Sequence, residues 1–238
     1  MKQDLDTNFE YAYELSEKTF SNDEILQFLL NGNILERQIA ALNLKKIDSK
    51  EIAIALINNL VGVDGKIREA VAQTLFKNIA MDENAKSFYI NDNASVNSFA
   101  HATIDINGNI CRYVIDTVNL FQNYTDFCKS YTKFICTFAQ EALQELDKFI
   151  FRDKKYVINK QLFKLYWCLE ALNIFYKYAE EEILTSILIK SSEQNEYTIR
   201  EKVAQILVKV DNLDDIKQRL KKDENYYVRN ILNHKSIC

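Results

Sequence analysis

The sequence predicts an all-α protein made of helix pairs in series, an α-α superhelix with a longer aromatic-rich helical hairpin in its middle. Three observations carry the prediction. The 238 residues contain no proline and only four glycines, where average usage would supply about a dozen and about sixteen. An arginine-led segment recurs: IREAVAQTLFK from Ile67 and IREKVAQILVK from Ile199 agree at eight of eleven positions. Apolar residues also return every three or four positions along most of the chain. A sandwich or barrel needs frequent turns built from Gly, Pro, Asn and Asp, which disfavours the all-β classes. Scattered glycines cannot form a phosphate loop, which excludes Walker-type and Rossmann-type nucleotide sites.

The chain has 23 Asn, and Lys outnumbers Arg 23 to 7. AT-rich codon usage produces that pattern and also depletes Pro and Gly, so position carries more weight than composition. The frame of Arg68 and Arg200 also fits Arg37 (RQIAALNLKK), more loosely Arg229 (VRNIL), and, shifted by one place, Arg112 in NGNICRYVIDTVNL. The steps between these arginines are 31, 44, 88 and 29 residues, which suits a unit of about 30 residues with an insertion.

Residues 1–79 are assigned to N-terminal repeats. In the clearest unit, Ser49 N-caps a first helix running through Leu60, with Ile52, Leu56 and Leu60 on one face. Residues 61–65 turn, and Lys66 to Ile79 is a second helix with Ile67, Val71, Leu75 and Ile79 at i, i+4 spacing. Gly32, Gly62, Gly65 and Gly108 all fall in turns just before second helices, where a positive φ reverses the chain at low cost. The helices themselves are expected to contain none.

This pattern resembles HEAT repeats and the related armadillo-like repeats: an apolar first helix, a turn with Asp64 or Asn33, then Ile/Val-Arg and the small residues Ala41, Ala72 and Ala204. The resemblance covers residues 22–79 and 180–235 well, 94–122 weakly and the middle hardly at all. It implies an α-solenoid and scaffold or adaptor work, and carries almost no information about activity. The proline often found in the family's first helix is missing, which implies straighter helices.

Residues 80–122 are read as an irregular insertion and a degenerate repeat. IDINGNI is compatible with a hairpin turning at Asn107-Gly108, but helix, turn, helix is the preferred reading. Residues 123–179 form the long hairpin. Its first helix, Thr125 to Phe151, is marked by Phe127, Tyr131, Phe134, Phe138, Ala142, Leu146 and Phe149, and its second, Tyr156 to Tyr178, by Leu162, Leu165, Leu169, Leu172 and Phe175. Aromatic side chains at helical spacing read as core rather than as a ligand groove. Residues 180–238 return to repeats. Glu180, Glu181 and Glu182 open a helix from Ile183 to Lys190, since carboxylates favour the positive end of the helix dipole. The whole, residues 1–238, is taken as one solenoid domain.

A formal net charge of −4 and a pI near 5.4 do not suggest a dedicated nucleic-acid binder. No stretch reaches the length of a membrane span, so the expectation is a soluble cytoplasmic protein, monomeric when alone. Cys111, Cys128, Cys136, Cys168 and Cys238 contain no C-x-x-C pair, and His101 and His234 are the only histidines. Free buried thiols are expected, with no zinc set, no cofactor and no legible catalytic constellation.

Two groups of residues stand out. Arg37, Asp64, Arg68, Arg112, Arg200 and Arg229 are read as structural, each arginine pairing with an acid or carbonyl in a neighbouring turn, such as Asp64 or Glu196, and stitching adjacent repeats. The stretch from Lys217 to Lys235 has six basic and two acidic residues. Within it Lys217, Arg219, Lys221, Lys222, Tyr226 and Tyr227 are the candidate partner-binding set, beside the plainer reading of a solvated capping face. The function inferred is a non-enzymatic interaction module taking a protein partner on its concave face. Two alternatives stay open. One is a solenoid similar to bilin lyases, which hold a tetrapyrrole. The other is a solenoid similar to alkylpurine glycosylases, which act on DNA and which the acidic charge and single Trp167 disfavour.

Overall fold

In the computed structural model, residues 2–148 and 155–233 are described, with side chains from Glu10 onward. Phe149 and Phe151, expected in the first long helix, and His234, Lys235 and Cys238 lie outside them. The fold is all-α, with no strand among the described residues. The helices are α1 Lys2–Glu17, α2 Asn22–Asn31, α3 Ile34–Asn43, α4 Lys50–Asn58, α5 Gly65–Met81, α6 Asn93–Thr103, α7 Gly108–Asn119, α8 Thr125–Lys148, α9 Lys155–Phe175, α10 Glu181–Ser191, α11 Tyr197–Leu207, α12 Asp214–Leu220 and α13 Tyr226–Asn233. They gather into two compact units, one comprising residues up to Ala102 with Asn107–Asn123, the other Thr103–Ile106 with the chain from Tyr124 on.

In the first unit, second helices pack on second helices, α3 on α5 and α5 on α7, while α2 packs on α4. Local chemistry sets the starts. Ser21 with Glu24 and Asn33 with Glu36 form capping boxes on α2 and α3, and Ser49, Asp64 and Asn107 cap α4, α5 and α7. The face predicted for α5 is the buried one, since Ile67, Val71, Leu75 and Ile79 are all at most 3% exposed. Each such side chain contributes roughly 1.5–3 kcal/mol by leaving water. Ala41 and Ala72 are fully buried where helices pass closely. Buried polar side chains then tie one repeat to the next. Asn59 Nδ2 donates to the Ala55 carbonyl on its own helix and to Leu29 at the end of α2, at 2.8 and 2.9 Å. Thr74 Oγ1 donates to Ala41 at 2.9 Å, from α5 to α3.

The segment read as an insertion is a 3-10 turn, Glu83–Phe88, followed by helix, turn, helix in α6 and α7. The alternative hairpin at Asn107-Gly108 is not formed; Asn107 instead accepts the Asn109 amide as the α7 cap. Helix α1 has no counterpart in the sequence reading. Leu15 buries its side chain, and Tyr11 Oη donates to Glu36 Oε1 at 2.5 Å.

Only one glycine uses a positive φ. Gly62 has φ of +75°, whereas Gly32 sits at −67° as the α2 C-cap. Gly32 answers a contact instead, because a Cβ there would lie 2.6 Å from the Phe28 carbonyl oxygen and 2.8 Å from Glu36 Cβ. Gly65 and Gly108 are the first residues of α5 and α7, so these helices do contain glycine, at ends where it costs little.

The second unit repeats the pattern. The hairpin α8–α9 is its first pair, with α9 on α11, α11 on α13 and α8 on α10. Phe127, Tyr131, Phe138, Leu165, Leu169, Leu172 and Phe175 are buried, and Tyr131 meets Phe175 edge-on at 5.4 Å. The aromatic middle is therefore a core. Helix α10 begins at Glu181, two residues ahead of the expected Ile183, with Glu180 as its N-cap.

Candidate interaction surface

Four of the five frame arginines do one job. Each sits in the first turns of a second helix and reaches back five residues to a carbonyl of the preceding loop. Arg37 Nε donates to Gly32 at 2.7 Å, Arg68 Nη1 to Val63, Arg200 Nη1 to Asn195 at 2.8 Å and Arg229 Nη1 to Glu224 at 2.7 Å. The guanidinium thus closes the turn of its own repeat, donating to carbonyls of the loop that joins the two helices. Contact with the following repeat is added twice, from Arg37 Nη1 to Asn59 Oδ1 at 3.1 Å and from Arg200 to Asp223.

Three details of the arginine reading need correction. Glu196 is not the hydrogen-bonding acid of Arg200. It caps α11 by accepting the Thr198 amide at 3.4 Å, and the acid is Asp223. Asp64 likewise caps, accepting the Lys66 amide at 2.8 Å. Arg112 does not stitch repeats. It is exposed and reaches Asn109 Oδ1 at 3.4 Å on its own helix, because a one-place shift turns a side chain by about 100° around the axis.

The Arg200 fork is a buried, bidentate ion pair. Nε and Nη2 lie 2.7 and 3.0 Å from the two Asp223 oxygens, with both side chains under a tenth exposed. Burial alone would push the Asp223 carboxyl up. The Arg200 hydrogen bonds, the Asn225 amide and the charges of Arg200 and Arg229 outweigh it and hold the group below the ordinary carboxylate range.

The candidate partner-binding residues divide. Lys217 Nζ is engaged at the base of α12, donating to the carbonyls of Val210 at 2.7 Å and Asp211 at 3.2 Å. Arg219 donates to Ser192 Oγ and lies 3.7 Å from Glu193, which docks α12 against the end of α10. Lys221 is half-buried at the end of α12, and its carbonyl accepts from Asn233 Nδ2 at 3.4 Å. Lys222 is exposed, and among the described residues it has no ion-pair partner. Tyr226 and Tyr227 are 62% and 60% exposed.

A third tyrosine joins them that sequence reasoning missed. Tyr197, at the start of α11, stacks on Tyr227 with ring centroids 6.4 Å apart and planes 27° from parallel. The signal was present in the repeat frame, since Tyr197 precedes Arg200 by three places as Tyr226 precedes Arg229. The arginine-closed turns hold both helix starts in register, so the rings form one exposed aromatic ledge with Lys222 nearby in sequence.

Elsewhere, Cys111, Cys128, Cys136 and Cys168 are buried thiols, and among the described residues no three His, Cys, Asp or Glu side chains cluster as a metal site would require. No described helix is long and apolar enough to cross a membrane. No family model and no curated protein matches the chain. Among solved structures it is similar to the crystal structure of an engineered protein, at 12% identity and a TM-score of 0.48, over 90% of this chain and 95% of that one.

Proposed function

We propose that this protein is a HEAT-like, non-enzymatic interaction module of the cytoplasm, monomeric until it takes a protein partner on the starts of α11 and α13. The observation that carries the reading is the exposed ledge of Tyr197, Tyr226 and Tyr227. Tyrosine is enriched among residues that dominate binding energy, because it brings a large rigid surface and a hydroxyl at small entropic cost. Helix pairs packed in series within each unit, with Ala41, Ala72 and Ala204 buried at matching places, support the family resemblance. The engagement of Lys217 and Arg219 in their own fold leaves fewer cations for a phosphate backbone, which favours a protein partner over nucleic acid.

The test is affinity purification of the tagged full chain from its native cell, followed by mass spectrometry, beside a Tyr197→Ala/Tyr226→Ala/Tyr227→Ala variant. A stoichiometric protein retained by the wild type and lost from the variant is expected. A partner that remains on the variant, or a wild-type chain recovered clean, would overturn the reading.

A further inference from the structure

The second unit holds a cavity of about 500 Å³ bounded by α8, the 3-10 turn Tyr176–Tyr178 and the start of α10. That size lies within the range of small-molecule sites. Its wall is largely apolar, with Cys136, Tyr178 and Ile183 among its residues, and its rim carries the exposed Lys129, Lys133 and Lys177 against one acid, Glu180.

These lysines differ from others of the unit. Lys148 pairs with Glu145, Lys164 with Glu141, Lys190 with Asp147 and Lys202 with Glu170. Among the described residues, no acid pairs with any of the three at the cavity. Lys129 and Lys133 stand at i, i+4 on α8, where like charges repel. The neighbours of Lys133 at three and four places are Lys129, Ser130, Cys136 and Thr137, so its own helix offers it no acid. A chain of net charge −4 therefore gathers three lysines without an ion-pair partner among the described residues, against the single acid Glu180, at one opening. Helix stability does not reward that arrangement, and a bound anion would.

We propose that this cavity binds an amphiphilic organic anion, its apolar body against Cys136, Tyr178 and Ile183 and its carboxylate, sulfonate or phosphate head among Lys129, Lys133 and Lys177. The head alone would not suffice, because exposed lysines remain hydrated and gain little from a small ion. The apolar wall supplies the remaining affinity and excludes water around the charge contacts. This site is separate from the tyrosine ledge, so either reading can fail alone.

The probe is 1-anilinonaphthalene-8-sulfonate, titrated by fluorescence against the full chain. One saturable site is expected, weakened about tenfold in Lys133→Gln and again in Lys133→Gln/Lys177→Gln. The control Lys160→Gln, on α9, should bind as wild type, and circular dichroism should report unchanged helicity throughout. Displacement by decanoate or by decyl phosphate supports the site and identifies its preferred head. Displacement by decanol as effective as by decanoate overturns it, as does affinity indifferent to the lysine substitutions. If the double variant does not fold, Lys177→Gln alone and a salt titration of the wild type decide: both must weaken binding, and indifference to either overturns the proposal.

Discussion

The guanidinium of Arg200 and the carboxylate of Asp223 meet fork to fork across 23 residues of chain, tying α11 to the turn between α12 and α13. Because the Asp223 carboxyl titrates below its ordinary value in the fold, the pair's contribution is complete above the unfolded value of about 4 and is lost as pH falls through the folded value. Asp223→Asn should cost about 3 kcal/mol at neutral pH, the low end for a broken buried pair, since Arg200 keeps the Gln194 and Asn195 carbonyls. Urea unfolding of both proteins at several pH values measures this. The difference should be constant from neutral pH down to about 5 and shrink below about 4; a difference that grows on acidification contradicts the pairing.

Asn59 is tested by changing one atom type. Asn59→Asp retains an acceptor for Arg37 but replaces the amide that donates to the Leu29 and Ala55 carbonyls. Carboxylate oxygen would then face carbonyl oxygen in a buried site, and a loss of about 1–3 kcal/mol is expected. Thermal melts of the full chain should show a lowered Tm, with Asn59→Asp no better than Asn59→Ala.

The two loop glycines separate backbone strain from crowding. Gly62→Ala adds a methyl group to open space at a positive φ and should cost about 1 kcal/mol, with Gly62→Asn milder. Gly32→Ala adds one at an allowed φ against the Phe28 carbonyl, which belongs to backbone and yields poorly. Gly32→Ala should therefore be the more damaging of the pair, although its dihedral looks the more tolerant. Chemical denaturation ranks them directly.

Thiol chemistry reports on the core of the second unit. Burial pushes the Cys128 and Cys136 thiols up to about 11, with the Glu180 charge adding to the effect at Cys136. Thiolate is the reactive form. A Cys238→Ser variant should thus react negligibly with a disulfide reagent at pH 8 when native, and release four equivalents in guanidinium. A fast thiol in the native variant would contradict this packing.

The pairing of helices was readable because the arginine and alanine frame fixes the phase of each second helix and the i, i+4 apolar positions fix its face. Ile67, Val71, Leu75 and Ile79 occupy the core as that spacing requires. The partners of those arginines were not readable, because a loop carbonyl has no sequence signature and Asp223 is one of 34 acids. Helix α1 escaped because its anchors, Leu15 and Tyr11, stand outside the frame. Leu213, the one described non-glycine at positive φ, gave no cue, since tertiary placement rather than residue type set its backbone. At the candidate surface, Tyr226 and Tyr227 stood out by composition, while Tyr197 needed the frame to be read three places upstream of its arginine.

Within each unit, packing second helix on second helix has a kinetic consequence. The stitching bonds join residues 30 and 33 apart in the first unit and 23 apart in the second, and no described element pairs as a strand across the chain. Loop closures of that size are entropically cheap, and chains rich in such near-neighbour contacts fold orders of magnitude faster than sheets of equal stability. Either unit can begin from any adjacent pair of helices and extend outward, so synthesis from the N-terminus would meet no step that waits for the far end of the chain.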